Sequence, residues 1–130
     1  MSLRFLLVDD NASFREEMRG LLEEQGLDVV GCAADGAEAL QQIAELRPDV
    51  VLIDIDLGGE SGLALVDALH VGSRHPVPRV ILISTHDGSD YADVIEASRA
   101  VGFLPKTELS AAEIRRLLEV ADTSGTGETI

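Results

Sequence analysis

The stretch VVLIDIDLGG, Val50 to Gly59, ends a run of aliphatics in two carboxylates, Asp54 and Asp56, with two glycines close behind. The chain repeats the pattern elsewhere: Asp9 and Asp10 follow one aliphatic run, Ser84 and Thr85 end another, and Lys106 ends a third. The group is rich in hard oxygen donors, with one hydroxyl and one ammonium. Three carboxylates gathered in one place repel strongly unless one takes a proton or a cation joins them. All-oxygen ligands with room for water suit Mg2+, with Mn2+ as the alternative ion. An ion held this way leaves a place for a phosphoryl group, to which Lys106 would offer a point charge and Ser84 a hydroxyl. The chemistry within reach of such a set is transfer of a phosphoryl group onto Asp54, helped by positioning and charge neutralisation.

Taken singly, these residues have plainer readings. An aspartate after a strand most often caps a helix or opens a turn, so Asp9 and Asp10 could simply start the first helix. Lys106 alone is a solvated loop lysine, and Ser84 alone could bond its own backbone. Gly58-Gly59 reads as a flexible turn that matches no phosphate-cradling motif. His70, His75 and His86 lack metal-ligand spacing. The conjunction is what favours chemistry: four strand ends out of five carry the required groups, on one edge.

Those ends belong to five aliphatic runs, at 3–8, 27–33, 49–54, 77–84 and 101–105. Several are apolar without alternation, which suits parallel strands covered on both faces. Segments with helical spacing lie between them. Phe14, Met18, Leu21 and Leu22 line the first, with Gly26 as its stop; Leu40, Ile43, Ala44 and Leu46 line the second. Asp35 with Glu38 forms a capping box before that second helix, and Pro48 closes it. Leu63, Val66 and Leu69 mark a third helix, and Val94, Ile95 and Ala97 a fourth. Ser110 and Glu113 box the start of a fifth, lined by Ile114, Leu117, Leu118 and Ala121. Five alternations of strand and helix predict an open parallel α/β sheet with helices on both faces. Ligands of such sheets bind beyond the carboxyl ends of the strands, where the strand order reverses. With the order 2-1-3-4-5, Asp9, Asp10 and Asp54 converge there. A single domain over 1–121 is expected, with 122–130 a flexible tail or the start of a linker.

The 130 residues carry 24 acids against 10 Lys and Arg, a formal charge of −14. Such a surface repels phosphate backbones, so nucleic acid is not expected as a partner of this chain. The core is aliphatic, with no Trp, one Tyr and three Phe. Cys32, the single cysteine, has no partner for an internal disulfide and reads as a structural thiol. The first apolar run is too short for a signal peptide or a membrane span, which makes a cytoplasmic location the expectation.

From Leu3 to about Val120 the sequence resembles a response-regulator receiver domain, through LLVDDN, DVVLIDIDLGGESG, VILIST and GFLPK. GFLPK is similar to receivers joined to helix-turn-helix transcription domains. The resemblance implies a flavodoxin-like fold and a phosphoryl group accepted by Asp54 from a sensor histidine kinase or a phosphotransfer protein. It implies Mg2+ bound by Asp10 directly, by Asp9 largely through water, by Asp54, and by the backbone carbonyl of Asp56. Ser84 and Phe103 match a hydroxyl and an aromatic that switch together, and Lys106 matches the phosphate-pairing lysine. The surface of helix 4, strand 5 and helix 5, roughly Asp90 to Ala121, would meet partners and is the candidate homodimer face. Asp56, Thr85 and His86 stand where phosphoryl access and lifetime are tuned. Three departures are visible: Gly58 replaces a common proline, which predicts a looser loop; Thr85 is bulkier than the usual Ala or Gly; and Lys106 is followed by Thr107 instead of proline.

Two rivals bear on the same residues. Asp54-Ile55-Asp56 resembles the opening motif of haloacid-dehalogenase-type phosphatases, but it follows the third strand instead of the first, and the acidic pair comes early. A receiver fold that binds partners without being phosphorylated is the other; every phosphorylation residue being present counts against it.

Overall fold

The computed structural model describes residues 3–71, 77–85 and 92–127, of which Ala92, Val94 and 121–127 are described by their backbone only. Five strands, β1 (Arg4–Val8), β2 (Asp28–Ala33), β3 (Val50–Asp54), β4 (Arg79–Ser84) and β5 (Gly102–Pro105), alternate with five helices. These are α1 (Ala12–Glu24), α2 (Gly36–Leu46), α3 (Gly62–His70), α4 (Ala92–Ala97) and α5 (Ala111–Gly127), with a 3-10 turn at Lys106–Glu108. All strand pairs are parallel, in the order β2-β1-β3-β4-β5. This is the expected flavodoxin-like sheet.

The strands read as unbroken aliphatic runs because both their faces are covered. Phe5, Leu7, Leu52, Ile81 and Ile83 pack with Met18 and Leu22 of α1 and Ile114 and Leu118 of α5. Their neighbours Leu6, Val8, Val51, Ile53 and Leu82 pack on the other face with Ala39 of α2 and Leu65, Val66 and Leu69 of α3. Successive residues of a strand alternate faces. Continued one step beyond Leu7, Leu52 and Leu104, that alternation puts Asp9, Asp54 and Lys106 on the same face, the one covered by α1 and α5.

Helix ends follow the sequence signals. Asn11 caps α1 by accepting from Phe14 N at 3.1 Å. At its far end Gly26 takes φ +93, while Gly26 N donates to Glu23 O and Leu27 N to Leu22 O, the paired bonds of a Schellman stop. Asp35 caps α2 through Glu38 N at 2.8 Å, and the Glu38 carboxylate returns to Ala34 N, one residue earlier than a capping box requires. Ser110 accepts from Glu113 N at 3.2 Å, but the Glu113 carboxylate pairs with Arg116 instead of returning. Helix α5 is longer than its apolar pattern suggests: helical backbone continues through Gly127, past the position where a tail was expected to begin. Lengthening a helix that already exists avoids the cost of nucleation, so weak formers such as Thr123, Ser124 and Gly125 can extend it.

Candidate functional site

Pairing of Val8 with Ile53 sets Asp9 and Asp54 side by side where β1 and β3 end, and β4 and β5 bring Ser84 and Lys106 to the same edge. Asp9, Asp54 and Ser84 are buried, whereas Asp10 is exposed. Carboxylate oxygens of Asp9, Asp10 and Asp54 lie within 4.8 Å of one another. The Lys106 ammonium sits between two of them, 2.6 Å from Asp9 Oδ2 and 3.0 Å from Asp54 Oδ2. The first contact brings opposite charges together off the hydrogen-bonding direction, so Asp9 Oδ2 is buried with a charge partner but no aligned donor.

The remaining oxygens are held by main chain. Asn11 N donates to Asp9 Oδ1 at 2.9 Å, and Asp56 N donates to Asp54 Oδ1 at 3.1 Å. Arg15 Nη1 donates to the Asp9 carbonyl at 2.6 Å, and the Phe14 ring lies under the Lys106 ammonium at 4.2 Å. The first turn of α1 therefore braces both the acid and the cation. Burial pushes the Asp54 carboxyl above its ordinary pKa, outweighing the stabilising Lys106 ammonium and Asp56 N–H. Burial acts on Lys106 the other way, yet the Asp9 and Asp54 carboxylates prevail and hold the ammonium above the usual lysine range. Three carboxylates face one ammonium, and an oxygen lacks an aligned donor. That donor set fits a hard divalent cation.

The connection from β3 to α3 differs from the looser loop that Gly58 suggested. Asp56 and Ser61 form an antiparallel bridge, and Leu57 and Glu60 exchange backbone bonds, Leu57 N to Glu60 O at 3.0 Å and Glu60 N to Leu57 O at 3.4 Å. Gly58 and Gly59 take φ +60 and +106, the positive pair that a two-residue hairpin of the primed type demands. Proline is confined to φ near −65° and could not take this place. The hairpin's base is pinned at Gly62, whose N–H donates to Ile55 O at 2.7 Å. A Cβ at Gly62 would overlap the Asp54 carbonyl.

Of the other residues singled out from sequence, Phe103 is half-buried against the core of the α2–α3 face and Thr85 is exposed beside Ser84. The Asp56 side chain is exposed, and its N–H makes its contact with the site. His86 and His75 lie outside the described residues, as does part of the surface from Asp90 onward. His70 Nδ1 is engaged with Val66 O at 2.7 Å. Phe14, Arg15 and Gly62 were not read as site residues. Phe14 was legible only as part of a helix's apolar face, although it stands one turn beyond the acidic pair.

Comparison with known proteins places this geometry. Residues 5–119 match the family described as the response regulator receiver domain. The chain belongs to that family. It is 38% identical over 109 residues to the protein-glutamate methylesterase/protein-glutamine glutaminase of Alkalilimnicola ehrlichii, covering 82% of this chain and 27% of that protein. A namesake in Geobacter metallireducens is also 38% identical, over 82% of this chain and 31% of its own. The chain thus spans about a third or less of the length of these relatives. Among solved structures, the signal receiver domain of the response regulator NarL from Mycobacterium tuberculosis superposes with a TM-score of 0.75 at 33% identity, covering 93% of this chain and 97% of that one. The response regulator domain of Thermotoga maritima CheB gives 0.71 at 27% identity, with 100% and 98% covered. Receiver domains are regulatory modules of two-component signalling that interact with histidine kinases or phosphotransfer proteins. They bind Mg2+ at an acidic pocket, and Asp9, Asp10 and Asp54 form an acidic cluster here. Among the described residues, no helix is long and apolar enough to cross a membrane.

Proposed function

We propose that this receiver domain accepts a phosphoryl group from a phosphohistidine onto Asp54. The observation that carries the reading is the Lys106 ammonium set between Asp9 and Asp54 at the carboxyl edge of the sheet. A carboxylate oxygen of Asp54 attacks the phosphorus as the bond from phosphorus to the donor nitrogen breaks. The electron pair leaves with the imidazole, and an acyl phosphate remains on Asp54. Mg2+, when bound, neutralises charge on the phosphoryl oxygens; the Asp9, Asp10 and Asp54 carboxylates and the Asp56 carbonyl are its proposed ligands. Lys106 exchanges one carboxylate partner for the phosphoryl group. Ser84 offers its hydroxyl to that group, and Phe103 couples the event to α4, β5 and α5, the proposed partner and homodimer face. Asp56, Thr85 and His86 border the entrance and set how readily donors and water reach the acyl phosphate.

Intact mass after incubation with a small phosphodonor tests this, with and without Mg2+, on wild type and Asp54→Asn. The expected result is a Mg2+-dependent gain of one phosphoryl group that is labile to base and absent from the variant. No gain in folded, Mg2+-supplied protein would favour a receiver fold that works without phosphorylation, and turnover of a phosphate ester would favour the phosphatase reading.

A further inference from the structure

The hairpin between β3 and α3 touches the acid cluster at its tip. An ideal Cβ on Gly58 would stand 2.6 Å from Asp10 Oδ2, so this carboxylate occupies the space that a side chain at position 58 would fill. The hairpin also has a lateral fastening. Glu60 Oε1 accepts from Gly36 N at 3.3 Å, at the first residue of α2. That N–H has no partner within its own helix, and the positive end of the helix dipole favours a carboxylate there. The base of the hairpin is held by main chain at Gly62 and by the buried Leu57 side chain, and Glu60 adds a polar tie from the hairpin to α2.

We infer that Glu60 is a positioning residue for cation binding. It ties the hairpin to α2 and, through Gly58, keeps the exposed Asp10 carboxylate directed into the cluster with Asp9 and Asp54. The inference rests on the reading of those three acids as metal ligands. Supporting groups of this kind, which orient a ligand without touching the ion, commonly affect metal affinity strongly. Glu60 could instead act only as one more negative charge near the ion. Gly36→Ala separates the two possibilities. It keeps every charge but places a Cβ 2.9 Å from Glu60 Oε1, which pushes the carboxylate off the N–H. Alanine is also a better helix former than glycine.

The test is titration of the full chain with Mn2+, reading free ion by its paramagnetic resonance signal, for wild type, Glu60→Ala, Gly36→Ala and the double variant. Each single variant is expected to bind Mn2+ about threefold to tenfold more weakly, at or below the low end of such supporting-group effects because the contact is long and near the surface. The double variant is expected to be no weaker than Glu60→Ala, since both changes break one contact. Wild-type affinity in Gly36→Ala beside a loss in Glu60→Ala would reduce Glu60 to a distant charge and overturn the inference. Unchanged affinity in both variants would overturn it too, while leaving the metal reading intact. Failure of wild type to bind Mn2+ would overturn both. Urea midpoints of the four proteins keep a folding defect apart from a binding one.

Discussion

Lys106→Met removes the ammonium from the acid cluster while keeping an unbranched side chain beside Phe14. The ion pairs lost are buried: side-chain exposure is 12% for Lys106, 0% for Asp9 and 7% for Asp54. At 2.6 and 3.0 Å, each attraction is worth a gross ~5–6 kcal/mol with an effective dielectric of about 20. Three carboxylates within 4.8 Å of each other repel by roughly 3.5 kcal/mol or more for every pair on the same scale. Withdrawing the ammonium also relieves its own desolvation, so the net effect is far below the gross attraction. Removing one partner of a buried pair typically costs about 3–5 kcal/mol. Asp54, already biased toward its neutral form by burial, can take up a proton and hold the loss near about 3 kcal/mol, the low end of that range. The assay is urea unfolding followed by far-ultraviolet circular dichroism at neutral pH, in chelator and in excess Mg2+. The variant should be destabilised in chelator and should regain much of the deficit with Mg2+, because a divalent ion answers the same repulsion. A loss below about 1 kcal/mol in chelator would put these contacts in the class of exposed ion pairs and refute the argument.

Four further outcomes are expected. Gly62→Ala should destabilise by about 3 kcal/mol or more and abolish phosphate uptake, since the new methyl overlaps the Asp54 carbonyl. Gly59→Ala meets no neighbour within 4 Å and carries only the strain of φ +106, so urea unfolding should show a loss of about 1–2 kcal/mol. Because the folded Asp54 pKa is raised, the folded protein holds this proton longer than the unfolded chain, and metal-free stability falls as pH rises from the unfolded acid value through the folded one. Asp54→Asn should lack that fall, matching wild type at strongly acidic pH and exceeding it near neutrality; equal urea midpoints near neutrality would contradict the shift. For Lys106 the sign is the same but the window is alkaline: its contribution is full below the ordinary lysine pKa and is lost as pH rises through the higher folded value. An alkaline unfolding profile of Lys106→Met should therefore lack this component.

The alternation of aliphatic runs with helical spacings is enough to place five strands in a covered parallel sheet, because runs apolar on both faces have few other homes, whereas the strand order comes with the family resemblance and not from the pattern. Asp9, Asp54, Ser84 and Lys106 were legible because each ends a run. What stayed hidden depends on three-dimensional approach. Gly58 and Gly59 look like slack in a sequence, and only the Asp56–Ser61 bridge shows them to be a tight turn. Glu60 reads as a solvated loop acid until α2 is seen to present Gly36 N beside it. Phe14 fits a helix stripe equally well whether or not a lysine rests on its ring. The end of α5 escaped because residues 122–127 carry no apolar spacing from which a helix could be read.

The covering of the sheet on both faces has a consequence for how the strands find their alignment. A strand with one wet face is locked in register, since a slip by one residue would turn its apolar side outward. In β3 the residues Val50, Val51, Leu52 and Ile53 are all fully buried, so such a slip would merely exchange aliphatics between two equally oily layers. What it would not forgive is Asp54, carried from the side facing Lys106 into the layer of Leu65 and Val66. The charged tips therefore act as the alignment marks of strands whose interiors say little about where to stop. In this chain the residues proposed for chemistry would also proofread the fold.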